Sequence, residues 1–155
     1  MIVYFLIKYL HVIGAIVILG TGSGIAFFML MAHRSGDAGF IARTASVVVQ
    51  ADMIFTLSAV IAQPVTGGLL MQIDQSSFTE GWLATSLVLY VVAGAFWVPV
   101  IFMQREMRDL ARVAAEKGAP LPPRYFTLFR RWFWFGIPGF GSVMAIVFLM
   151  IAKPF

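Results

Sequence analysis

Long apolar runs, separated by short polar stretches, dominate the pattern of this 155-residue chain. Four runs are long enough to cross a bilayer, which takes roughly 20 mostly apolar residues in a helix. They cover about 2–32, 47–71, 82–103 and 132–152. Helices are expected because backbone polar groups in lipid must find partners within their own segment. The pattern therefore predicts an all-α, integral membrane four-helix bundle that forms a single transmembrane domain over residues 1–155.

Basic residues are unevenly shared among the three connections between these runs. Two lie in the first connection and seven in the third, whereas the second has none and carries Asp74 and Glu80. Because basic loops stay on the cytoplasmic side, both termini are predicted to face outward, an N-out/C-out topology. The third helix is expected to continue as a cytoplasmic extension to about residue 117, where Gly118 and a proline-rich stretch follow.

The composition narrows the class of protein further. Hydrophobic residues make up 61% of the chain and charged residues 12%, too apolar for a short chain to fold around one aqueous core. The lipid bilayer is therefore an expected partner, and a bacterial inner (plasma) membrane is the expected location for this multi-pass protein. The absence of cysteine excludes disulfides and iron–sulfur clusters. Cytoplasmic anchoring explains the net charge of +4, so no nucleic acid partner is expected.

The first run contains two basic residues, Lys8 and His11, in a setting where such groups are rare and mark candidate sites. They are three residues apart and lie on neighbouring parts of one helix face. A neutral imidazole at this depth is a suitable haem ligand. Gly14 and Ala15 follow His11 by one turn, and their small size would leave room for a flat macrocycle. The alternatives are a histidine hydrogen-bonded between closely packed helices, another metal site, or a proton relay.

Matching depths across the bundle predicts a polar layer around His11. Nine residues inward from the outer ends of the other helices lie Gln63, Tyr90 and Met144. Met144 is the best intrachain candidate for a second axial ligand, and a flexible core or lipid-facing methionine is the alternative. The Gln63-Pro64 pair predicts a kink in the second helix. The carbonyls that this kink frees would line a binding cavity or be repacked.

His33 is the second histidine of the chain. It lies 22 residues after His11, about 33 Å along the same helix, so the two cannot bind one metal within one chain. We expect His33 to be an interfacial histidine on the cytoplasmic side. The alternative is a ligand to a second haem on that side.

Asp52 lies near the predicted inner end of the second helix. We expect its carboxylate to pair at the interface with a nearby arginine, for which the candidates are Arg43, Arg130 and Arg131. A protonatable site inside the bundle is the alternative.

Three stretches carry a resemblance to known families: Leu6–Ala15, Arg130–Pro138 and Ala152-Lys153-Pro154. Together they resemble the predicted integral membrane proteins of domain of unknown function 2269 over nearly the whole chain. The first helix also resembles the HemJ-type protoporphyrinogen oxidases and the CopD-type copper-resistance membrane proteins. The HemJ type has a Lys-x-x-His early in helix one and a second histidine near its end, matched here by Lys8, His11 and His33. This resemblance implies b-type haem bound through His11, with Lys8 as a supporting residue.

The leading hypothesis is therefore a haem-b-binding membrane protein engaged in electron transfer or in oxidoreductase chemistry related to haem or porphyrin. His11 would ligate the haem iron, and its partner would be a membrane redox protein or a second copy in a homodimer. One alternative is a non-catalytic membrane subunit or assembly factor that binds through the glycine face of Gly20 and Gly24. Another is a small-solute or metal transporter that uses the kink at Pro64.

Overall fold

The structure, a computed structural model, describes residues 1–77 and 79–154. These residues form four long helices and no strand: α1 (Ile2–Ser35), α2 (Ala38–Asp74), α3 (Gly81–Glu116) and α4 (Pro123–Ala152). Each helix is long and apolar enough to cross a membrane. Large apolar side chains are exposed along all four, as expected where lipid is the solvent. The predicted all-α membrane bundle is confirmed, and the N-out/C-out topology remains a prediction.

The first connection is much shorter than the apolar pattern suggests. Gly36 ends α1 in a left-handed conformation with φ 68°, and its N–H bonds back to the carbonyl of His33. The Asp37 side chain then accepts the Phe40 N–H at 2.9 Å and starts α2 at Ala38. A glycine C-cap followed directly by an aspartate N-cap joins two helices with only two residues. Residues 38–46, placed in a polar link by hydropathy, are therefore helical.

Helical structure also extends past the apolar runs around the third connection. α3 continues to Glu116, and Gly118 follows with φ 59°. α4 begins at Pro123, nine residues before the apolar run at 132, because proline suits the first helical position. Two helices therefore project together beyond the predicted membrane-spanning length.

We call the end of the bundle with the first and third connections the basic end, and the end with both chain termini the terminal end. The main core lies toward the basic end and draws on all four helices. Its members with no exposed surface are Met29, Ala32, Ile41, Ala45, Met107, Ala111 and Tyr125. A smaller cluster at the terminal end is formed by Trp82 and Leu83 of α3 and Leu149 of α4, and Met71 of α2 packs against it.

The helix contacts change along the bundle in the same way. At the basic end α2 packs on α3, and α3 packs on α4. Toward the terminal end, the segment Leu57–Asp74 of α2 packs on α1 and makes few contacts with α3. The molecule is thus one four-helix bundle at the basic end, whereas at the terminal end α1 with α2 and α3 with α4 form two pairs with few contacts between them.

Candidate functional site

His11 lies between α1 and α2 near the terminal end. Its Nδ1 is 2.8 Å from the hydroxyl oxygen of Thr66. That hydroxyl is also 2.8 Å from the carbonyl of Ala62, one turn earlier in α2. A hydroxyl has one proton, so when Thr66 donates it to Ala62, the imidazole must donate its Nδ1–H to Thr66. In this tautomer Nδ1 carries the proton and Nε2 keeps its lone pair.

Within residues 1–77 and 79–154, the second ring nitrogen of His11 is in no hydrogen bond, while the Gln63 backbone approaches the same ring. An imidazole with one nitrogen fixed by a hydrogen bond and the other free is the arrangement of a metal-ligating histidine. No group of three His, Cys, Asp or Glu side chains within these residues could hold a metal ion. A metal at His11 would need most of its ligands from another molecule, as a porphyrin provides.

Gln63 ties the same two helices together one turn away. Its Nε2 donates to the backbone carbonyl of His11 at 2.8 Å. A Cβ built on Gly14 would lie only 2.6 Å from this nitrogen, and one built on Gly67 would lie 3.3 Å from Cε1 of His11. The two glycines therefore permit the close approach of α1 and α2. The space beside Gly14, expected to admit a macrocycle, is filled by the Gln63 amide, because this polar group can reach the backbone of α1 there.

Tyr90 repairs the defect that Pro64 leaves in α2. Pro64 has no N–H, so the carbonyl of Val60, four residues earlier, lacks its usual helical donor. The Tyr90 hydroxyl of α3 donates to this carbonyl. The carbonyl freed by Pro64 was expected either to line a binding cavity or to be repacked, and the structure shows that it is repacked against Tyr90. Tyr90 thus connects α3 to α2 where the two helices otherwise have few contacts.

Met144 does not lie in the layer of His11. α1 and α4 meet where a Cβ on Gly22 would lie 3.6 Å from the Phe140 ring. Since the helices run in opposite directions, Met144 lies level with Ile18. That is seven residues from His11, or about 10 Å along the helix. The Met144 side chain is 51% exposed on the bundle surface.

The predicted layer fails at Met144 because the helix ends are not level. α1 begins at Ile2, 20 residues before Gly22, whereas α4 ends at Ala152, 12 residues after Phe140. Counting equal numbers of residues from the two ends therefore gives different depths. Helix packing sets this offset, and hydropathy does not report it.

Lys8 is exposed on α1, apart from the contacts of His11. Its Nζ lies 3.5 Å from the hydroxyl of Tyr4 and 5.5 Å from the centre of the same ring. Its long side chain therefore extends toward the chain terminus, as snorkelling predicts for a lysine near a helix end. A role for Lys8 beside a cofactor remains a prediction.

Thr66 is the residue of this site that the sequence analysis missed. It lies three residues after Gln63 and therefore on a neighbouring part of the same helix face. The spacing from Gln63 could have indicated Thr66, but threonine is common in membrane helices, so its presence alone does not mark a site. Its importance comes from its hydrogen bond to a histidine 55 residues away in the chain.

Comparison with known proteins assigns the chain to a family. A family model described as "Predicted integral membrane protein (DUF2269)" matches residues 5–154. The chain belongs to this family. No curated protein and no solved structure matches it. The DUF2269 match spans all four helices and confirms the resemblance seen in three stretches, and this is a multi-pass integral membrane protein. The likeness to HemJ-type and CopD-type proteins stays a prediction.

In this DUF2269 protein, His33 belongs to an aromatic cluster at the basic end. Its ring stacks on Phe129 with centroids 3.6 Å apart and an angle of 8° between planes. Its Nδ1 lies 3.3 Å from the hydroxyl of Tyr125. These contacts between α1 and α4 give the His33 ring a packing role, and its location at the cytoplasmic membrane interface stays a prediction.

Asp52 does not form the expected ion pair. Among the residues that the structure describes there are three salt bridges, and none includes this carboxylate. Asp52 is 3% exposed, and its Oδ1 accepts the Trp97 indole N–H at 3.5 Å. The expectation was wrong because α2 begins at Ala38, which places Asp52 fourteen residues, about 21 Å, inside the helix.

A separate groove of about 450 Å³ lies between α3 and α4. Val98, Phe102 and Phe135 give it an apolar wall, and Arg131 lines it together with the ion pair of Arg124 and Glu106. An apolar channel beside basic groups resembles the setting of a lipid at the membrane interface. It lies on a different helix pair from His11 and takes no part in that site.

Proposed function

We propose that this protein binds haem b in a bacterial inner membrane and serves electron transfer or oxidoreductase chemistry related to haem or porphyrin. His11 Nε2 is the proposed axial ligand. The observation that carries the proposal is the hydrogen bond between His11 Nδ1 and Thr66, which in the Nδ1–H tautomer leaves the Nε2 lone pair free to bind iron. The first-helix resemblance to HemJ-type proteins points to the same histidine.

The residues around His11 fit a haem better than a bare metal ion. A single histidine with no further His, Cys, Asp or Glu cluster in the described chain suits a porphyrin, which brings four nitrogen ligands of its own. The small number of contacts between the two helix pairs at the terminal end also supports the proposal. A flat group inserted at that end would displace lipid, whereas at the basic end it would displace the main core.

Bound haem would supply a one-electron centre whose potential depends on its axial ligands and their surroundings. The chain would contribute the orientation of the ligand, because the hydrogen bond to Thr66 holds the His11 ring between α1 and α2. Met144 lies at another depth, so we propose that any second protein ligand comes from a second copy or from a membrane redox partner. The exposed apolar face of α1, which includes Phe5, Tyr9 and Ile16, is available for such contact.

The direct test is the absorption spectrum of protein expressed with a haem precursor and purified in detergent. We expect a Soret band in the wild type, and His11→Ala should abolish it. The matched control is His33→Ala, which removes the other histidine and should leave the band intact. Thr66→Val keeps the shape of the side chain but removes the acceptor of Nδ1–H, and it should weaken haem affinity by about 10–100-fold.

Two results would overturn the proposal. One is a colourless protein despite haem supply during expression. The other is a Soret band that His11→Ala leaves unchanged, which would place the haem elsewhere.

A second candidate function, a non-catalytic membrane subunit, is favoured by the glycine face of Gly20 and Gly24. A Cβ on Gly20 would meet nothing within 4 Å, and one on Gly24 only Phe28 at 4.0 Å. These small residues are therefore not used for close packing within the chain, and such pairs commonly mediate contact between membrane helices. If this function is correct, Gly20→Leu should reduce oligomer mass measured in detergent by light scattering. The transporter alternative loses support, since Tyr90 occupies the carbonyl freed at Pro64.

A further inference from the structure

A buried polar cluster lies between α2 and α3, separate from His11. α2 contains a π-helical turn at Asp52–Thr56, a feature that often occurs at functional sites. Asp52 and Thr56 lie at the two ends of this turn, and both are buried. Trp97 and Gln104 of α3 face the same carboxyl.

The polar groups of this cluster are incompletely hydrogen-bonded. Trp97 Nε1 donates to Oδ1 of Asp52 at 3.5 Å. The Thr56 hydroxyl and the Gln104 amide flank the carboxyl but do not reach hydrogen-bond geometry with any group in the described chain. Gln104 is 1% exposed, and both its Oε1 and its Nε2 lack partners. Buried polar groups are nearly always hydrogen-bonded, so a donor and an acceptor for this amide are missing.

No positive charge balances the Asp52 carboxyl from α2 or α3. Within residues 1–77 and 79–154, no Lys, Arg or His nitrogen lies within 4.0 Å of it. Arg105, the residue after Gln104, directs Nη2 to the sulfur of Met53 at 3.3 Å. Glu106 is held in its ion pair with Arg124 near the basic end.

The other two helices supply no counter-charge at this depth either. α1 has no titratable residue between His11 and His33, and α4 has none between Arg131 and Lys153. An ionised carboxylate would therefore lie in the bundle without a partner, which is strongly unfavourable in a low-dielectric interior.

We propose that Asp52 is a proton-binding site and is held as a neutral carboxylic acid paired with the Gln104 amide. A carboxylic acid and a primary amide each offer one donor and one acceptor, so they satisfy each other. The acid O–H donates to Oε1 of Gln104, and Nε2 of Gln104 donates to the other carboxyl oxygen. An ionised carboxylate would accept from Nε2 but leave Oε1 without a donor. A monovalent cation could occupy Oε1 beside the ionised carboxylate, and the salt dependence of the Tm described below distinguishes that arrangement from the acid–amide pair.

This pairing makes the contact between α2 and α3 dependent on one proton. The acid–amide pair spans the two helices next to the π-helical turn. Removal of the proton would leave Oε1 unpaired and place a negative charge among apolar groups. Proton release therefore requires water or a cation to enter the bundle at this point.

Infrared spectroscopy of the full chain in detergent tests the protonation state directly. At neutral pH the wild type should show the carbonyl stretch of a protonated carboxylic acid, and Asp52→Asn should lose it. The control Asp74→Asn changes an exposed aspartate at the other end of α2 and should keep the band. Gln104→Leu should move the band to the higher frequency of a less hydrogen-bonded acid. His11→Ala should show the wild-type band, so the result is independent of haem binding.

Thermal unfolding provides a second measurement. Asparagine resembles the neutral acid in shape, so Asp52→Asn should keep the wild-type Tm at neutral pH. The proposal is overturned if the wild type lacks the acid band at neutral pH. It is also overturned if sodium chloride, compared with choline chloride, raises the Tm of the wild type but not of Asp52→Asn, since an ionised carboxylate would then bind the cation.

Discussion

The basic and terminal ends of the bundle hold their helices together by different means. At the basic end all four helices share an apolar core that includes Met29 and Met107, both without exposed surface. At the terminal end α1 and α2 meet at two glycines, and polar side chains cross between helices. Lipid is as apolar as the helix surfaces, so burial alone does not drive them together. An apolar core holds the helices together at the basic end, whereas close glycine contacts and interhelical hydrogen bonds hold α1 to α2 at the terminal end.

The largest expected difference in unfolding free energy is between alanine substitutions of two methionines, the buried Met29 and the exposed Met144. Met29→Ala opens a cavity in the core and should lower the free energy of unfolding by about 1–2 kcal/mol, from the cavity term of about 24 cal/mol per Å³. Met144→Ala removes the same atoms from a 51% exposed position and should change it far less. Reversible unfolding by SDS in mixed micelles measures both. Equal effects would show that the two ends are packed alike.

The hydrogen bond of Tyr90 to Val60 provides the next prediction. Tyr90→Phe leaves the Val60 carbonyl without a donor and should destabilise the protein by about 0.6 kcal/mol, an average value for side-chain hydrogen bonds in membrane proteins. Pro64→Ala restores the missing helical N–H, so Tyr90→Phe in that background should have little effect. Unfolding of the four proteins of this double-mutant cycle gives the coupling energy. Additive effects would contradict the repair of the proline defect by Tyr90.

The smallest expected effect separates two glycines of α1. Gly14→Ala places a Cβ where the Gln63 amide lies, so that amide must leave the His11 carbonyl. The side chain is flexible and can move, so we expect a loss of about 0.5 kcal/mol, the scale of one such bond. Gly20→Ala meets no neighbour within 4 Å and should not destabilise the protein. The same micelle titration compares the two variants. A larger loss of unfolding free energy for Gly20→Ala would show that α1 is packed more closely at Gly20 than at Gly14.

Much of the fold was predictable from the order of apolar and polar residues. The four spans follow from the apolar runs, and the extension of α3 follows from the stretch that ends at Gly118. His11 and Gln63 became candidates because polar residues are rare in such runs. The start of α2 was also readable, since Gly36-Asp37 is a C-cap followed by an N-cap. Hydropathy alone places the start of α2 at about residue 47, whereas the helix begins at Ala38. This late start put Asp52 close to the membrane interface and led to the incorrect prediction of an ion pair.

What the sequence by itself determined is that four helices cross a membrane, because unpaired backbone groups are too unfavourable in lipid for any other structure in such long apolar runs. The tertiary structure decided which polar groups meet. It joined His11 to Thr66 and Tyr90 to Val60, and it turned Asp52 toward Gln104. Hydropathy gives the length of each span but not the rotation or axial offset of one helix against another. Close contacts at residues such as Gly14 and Gly22 set both, and these arise only when the helices pack.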